Sequence, residues 1–105
     1  MPDVDIVEIS EIRLKLNTKK SRDSGTATAN SGDSGGTTVN FNLNFLDIIS
    51  IQVTVNSTGG AARTAIVDFT DAPNPTDFKV LVFDENGTRQ TESITWVADG
   101  FLNPL

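Results

Sequence analysis

From residue 39 the chain runs Val39-Asn40-Phe41-Asn42-Leu43-Asn44-Phe45, apolar residues and asparagines in strict alternation. That period of two predicts a strand with one dry and one wet face. Asparagine is a poor strand former, so three of them on one face point to solvent or to side-chain contacts. The alternation returns in Ile49-Ser50-Ile51-Gln52-Val53-Thr54-Val55. Leu46-Asp47-Ile48 between the two is too short and too apolar for a long loop. It predicts a tight corner where the chain changes sheets, and so two layers.

After the turn cluster Asn56-Ser57-Thr58-Gly59-Gly60, residues 64–69 alternate through Ala65, Val67 and Phe69 until Pro73 and Pro75 stop the run. Phe78-Lys79-Val80-Leu81-Val82-Phe83 turns apolar on both faces towards its end, which predicts a central strand. Asp84-Glu85-Asn86-Gly87 follows, with the Asn-Gly pair that favours a type I′ hairpin, and Glu92-Ser93-Ile94-Thr95-Trp96-Val97-Ala98 is the expected partner strand.

The first 38 residues are less regular. Ile6, Ile9, Ile12 and Leu16 fit a helical stripe, while Ile12-Arg13-Leu14-Lys15-Leu16 alternates as a strand, the reading favoured for residues 1–20 as an N-terminal strand or anchor segment. Residues 21–38 are rich in Ser, Gly and Thr with no apolar residue larger than alanine, so they read as a flexible loop or linker. Residues 39–105 form the β-sandwich domain of this reading. Six strands punctuated by Gly, Pro and Asn-Gly define an all-β, antiparallel sandwich.

Composition narrows the functions. A chain of 105 residues supports one core. Without cysteine it has neither disulfides nor thiolate metal sites. Its net charge of −6 and scattered basic residues argue against a nucleic-acid partner, whose affinity rests on Lys and Arg displacing counterions. The basic knot of Lys19, Lys20 and Arg22 reads as a solvated turn. The longest apolar run, residues 45–51, is broken by Asp47 and Ser50, so no membrane insertion is expected. Met1-Pro2-Asp3-Val4-Asp5 is acidic where a secretory signal would be basic, which predicts synthesis without Sec export.

Gly32-Asp33-Ser34-Gly35-Gly36 matches the sequence around the nucleophilic serine of chymotrypsin-like proteases, yet the chain has no histidine to take the proton. Asp84-Glu85-Asn86-Gly87 fails as a calcium loop, since its sixth position is Arg89 and its twelfth Thr95. Asp68, Asp71, Asp77, Asp84 and Glu85 sit at strand ends and turns, as solubility and turn formation require. The expectation is therefore no enzyme, no cofactor and no metal. The residues singled out for ligand contact are the polar face of Asn40, Asn42 and Asn44, Arg63 after its Gly-Gly turn, Asp84 at its own turn, and Trp96. Trp96, the sole tryptophan, sits in a strand with Ile94 and Ala98 on its face, which favours a core position over a ligand platform.

Phe41 and Phe45, the strands at 51–55 and 65–69, Thr76-Asp77-Phe78 leading into an apolar strand, and Trp96-Val97-Ala98 together resemble the H-type lectin pattern over residues 38–101. Phe78-Lys79-Val80-Leu81-Val82-Phe83-Asp84 before a Gly-containing turn and a Trp-containing last strand is similar to a module near the C-terminal ends of tail-fibre and host-specificity proteins of tailed bacteriophages. This resemblance implies a six-stranded sandwich that assembles as a homotrimer in a virion, made in the bacterial host cytoplasm, with other tail or fibre proteins as neighbours. It also implies attachment to a bacterial surface glycan or envelope protein; the alternative is a purely structural decoration, capping or trimerisation module. One departure stands out: sugar-binding H-type lectins often place a histidine beside the last-strand tryptophan, where this chain has Val97.

Overall fold

The computed structural model describes residues 20–104, so the alternatives for residues 1–19 lie outside the described residues. Six strands follow one another: β1 (Lys20–Ala29), β2 (Thr37–Asn40), β3 (Phe45–Asn56), β4 (Arg63–Asp68), β5 (Asp77–Asp84) and β6 (Glu92–Leu102). They form two antiparallel three-stranded sheets, one in the order β1-β6-β3 and the other β2-β5-β4. The expected all-β sandwich is present, and the run from Phe78 is indeed the central strand of its sheet.

The core lies between the two centre strands. Phe78, Val80 and Val82 alternate inward along β5, and Ile94, Trp96 and Ala98 do so along β6. Burying an apolar side chain of this size stabilises by about 1.5–3 kcal/mol. Phe41 binds the aromatic part together: its ring centroid lies 5.2 Å from Phe45, 5.6 Å from Phe78 and 5.9 Å from Trp96. Most of these rings meet edge to face, the favoured arrangement of aromatic quadrupoles.

Three expectations are corrected. Residues 21–38 are not one flexible loop, because Lys20–Ala29 is a ten-residue strand whose whole length pairs with β6. It needs no large apolar side chain, since its neighbour provides the bulk: a Cβ at Gly25 would stand 2.9 Å from Trp96 Nε1. Loop character is confined to residues 30–36, which carry the chain from one sheet to the other.

The corner also moves. β2 ends at Asn40, residues 41–44 make the change of sheet, and β3 runs straight through Leu46-Asp47-Ile48. The cause is Asp23, 6 % exposed, whose Oδ2 accepts from the backbone N–H of Asn42 at 2.7 Å and of Leu43 at 3.1 Å. Those donors are thereby taken out of a strand ladder. The irregularity expected at residues 46–48 survives as register shifts between Phe45 and Asp47 and between Ile48 and Ser50.

Finally, Asn86-Gly87 makes a turn but not a hairpin between β5 and β6. Gly87 alone in that pair has positive φ, +79°. Gly87 N donates to Asp84 O and Asp84 N to Thr88 O, closing a three-residue loop of the kind that ends in a left-handed glycine. After one bridge between Phe83 and Arg89, the chain leaves for the other sheet, where β6 pairs with β1 and β3.

Candidate functional site

The residues singled out for ligand contact fall into three places. Asn40 stands opposite Asp77 at one end of β5, and Arg63 opposite Asp84 at the other, about 23 Å away at the rise of an antiparallel strand. Trp96 is 2 % exposed in the core, the position its strand neighbours favour over a ligand platform, so it is out of reach of a ligand.

At the Arg63 end the polar groups serve the fold. Asp84 Oδ1 accepts from the backbone N–H of Asn86 and Thr88, both at 2.9 Å, and its Oδ2 from Gln90 Nε2 at 3.1 Å. Arg63 Nη1 donates to Ala62 O at 2.9 Å, and its Nε lies 3.7 Å from Glu92 Oε2 in a loose ion pair. Asp84 therefore shapes its turn, and Arg63 ties the start of β4 to that of β6. Exposed Ser34 lies in the 30–36 crossing, where Thr37 Oγ1 donates to Asp33 Oδ2 at 2.7 Å and accepts from Asn30 N at 2.8 Å.

The opposite end carries the candidate site. Asn40 and Asn44 line a hollow of about 360 Å³ together with Phe41, Asn74, Thr76 and Asn103. Its walls are pinned from several sides. Phe41 N donates to Thr76 O at 3.0 Å, Asn74 N to Leu46 O at 3.1 Å, and Asn103 N to Asn44 O at 2.8 Å. Asn103 Nδ2 donates to Asn74 Oδ1 at 2.8 Å, and Asn74 holds the left-handed conformation, φ +55°, that asparagine tolerates better than most residues. Asn42 does not reach the hollow: its Nδ2 donates to Asp23 Oδ1 and Ser24 O, so it braces the corner from behind.

The lining of this hollow holds carboxamides, a hydroxyl, a proline and aromatic carbon, and no ionisable side chain. Carboxamides donate and accept at once, which suits hydroxyl groups that do the same. A second hollow of about 340 Å³, bordered by Asp68, Asp77 and Lys79, lies on the other side of the loop through Asn74 and Pro75. Asn74, Thr76 and Asn103 escaped sequence reasoning, although Pro73-Asn74-Pro75 marks a stiff loop.

On the outer face of the β1-β6-β3 sheet, Arg22 grips Asp99 with two hydrogen bonds, Nε to Oδ1 at 2.9 Å and Nη2 to Oδ2 at 3.2 Å. These bonds hold the Asp99 carboxyl below its usual range, against a smaller upward push from desolvation. Among the described residues no three His, Cys, Asp or Glu side chains gather to hold a metal ion, and no helix is long and apolar enough to cross a membrane. No family model, no curated protein and no solved structure matches the chain.

Proposed function

We propose that this chain is a component of a bacteriophage virion, at a tail fibre, tail tip or spike, which presents its sandwich as a homotrimer to a hydroxyl-rich molecule of the bacterial surface. The amide-lined hollow of Asn40, Phe41, Asn44, Asn74 and Thr76 carries the reading. Its neutral donors and acceptors suit a sugar, whose hydroxyls can exchange hydrogen bonds with carboxamides while a ring face rests on aromatic carbon. The likeness of Phe78–Asp84, followed by a Gly-containing turn and a Trp-containing last strand, to tail-fibre modules supports the setting. No reaction is asked of the domain.

Glycan arrays and intact host cells test this directly. Saturable binding is expected, weakened roughly tenfold by Asn44→Ala, since a polar contact to a ligand is worth about 1–1.5 kcal/mol. Failure to bind any envelope fraction, or binding indifferent to Asn40→Ala and Asn44→Ala together, would sink the attachment reading.

A second reading, a structural capping or trimerisation module, draws on the outer edges of β3 and β4, which pair with no further strand among the described residues and where Ile49 and Ile66 are 52 % and 49 % exposed. It predicts incorporation into particles that is insensitive to the asparagine variants and lost on charging those edges.

A further inference from the structure

β3 and β4 are edge strands of different sheets and run along the same side of the sandwich. Between them lies a groove of about 320 Å³ floored by Ile48, Ile51, Val67 and Phe69 and overhung by the exposed Ile49. None of these side chains is fully buried, although all but Ile49 pack against the core. Exposed acids flank the groove: Asp71 at its end, and Asp47 beside Asp71 in the adjoining hollow. An apolar floor, an acidic end and two strand edges that pair with no further strand among the described residues describe a receptor for an extended segment that is apolar on one face and basic on the other.

We infer that this groove takes up such a strand from a second copy of the chain. The sequence contains the pattern at Ile12-Arg13-Leu14-Lys15-Leu16, residues which enter the argument for their sequence alone. Ile12, Leu14 and Leu16 would face the floor, and Arg13 and Lys15 the carboxylates of Asp47 and Asp71.

Chain reach favours a second copy over the same one. Lys20 pairs with Phe101, and Phe101 with Asp47, so a strand seated beyond β3 lies about three strand spacings, ~14 Å, from Lys20. The four steps from Leu16 to Lys20 span at most about 14 Å fully extended, with nothing left to round the end of the sheet. A partner copy has no such limit. The inference rests on the self-association in the proposed function and not on what the hollow binds.

The test is the mass of the full chain by light scattering across a concentration series. An oligomer is expected, with dissociation constants raised at least about tenfold by Ile49→Lys and by the pair Arg13→Glu and Lys15→Glu. Combining that pair with Asp71→Lys should recover part of the loss, a rescue that no general destabilisation would give. Circular dichroism confirms that each variant is folded; if Ile49→Lys is not, the charge pair and its rescue decide alone. A monomer at every concentration overturns the inference. So does an oligomer indifferent to the charge reversal, which would leave a homotrimer standing on another face. Glycan binding by the same variants is read separately, so the attachment reading stands or falls by its own result.

Discussion

The Asp23 carboxylate accepts from Ser24 N, Asn42 N, Leu43 N and Asn42 Nδ2, joining β1 to the corner at residues 41–44. Removing it leaves partly buried donors without acceptors, so Asp23→Ala should lower the unfolding free energy by about 1–3 kcal/mol in urea titrations. Phe41, the first residue of that corner, would lose its fixed place among the core rings as well. Asp99 makes a different prediction. Because Arg22 lowers its pKa in the folded state, the stabilisation is present above the ordinary aspartate value of about 3.9 and is lost as pH falls through the lowered one. Arg22→Gln should remove that share of the acid dependence. The check is urea midpoints for both proteins from neutral pH down through the carboxylate range; parallel curves would contradict the linkage.

At the scale of elements, strands that bring their own apolar residues were legible and those that borrow a neighbour's were not. The cores of β3, β4, β5 and β6 announce themselves by alternation, and the centrality of β5 by its apolar outer face. β1 turns Ser21, Asp23, Gly25, Ala27 and Ala29 inward, none of them a large apolar residue, and its strand character comes from β6, which presents Trp96 to Gly25. No local pattern contains that information. Gly25→Val should therefore push the indole from its place and cost about 1–3 kcal/mol, seen as a lower melting temperature with loss of the near-ultraviolet tryptophan signal. The corner was misplaced for a similar reason: Asn40 to Phe45 alternates as a strand would, and a carboxylate 19 residues away in sequence overrules it.

For the whole molecule, the two layers were readable and the candidate site only by halves. Asn40 and Asn44 were marked by their position on a wet face, but Asn74, Thr76 and Asn103 join them only once three separate segments meet at one end of the sandwich. Arg63 and Asp84 were marked for exposure that their own turns consume. The order of strands carries one more consequence. Among the described residues each of β1 to β4 pairs only with β5 or β6, and only β4 with β5 joins consecutive strands. During synthesis β1 and β3 therefore emerge before β6, the strand with which both pair, and wait until the segment from Glu92 arrives to lie between them. Folding of that sheet waits on β6: a polypeptide halted before residue 92 leaves it without its centre, its edges open to aggregation and to chaperones alike.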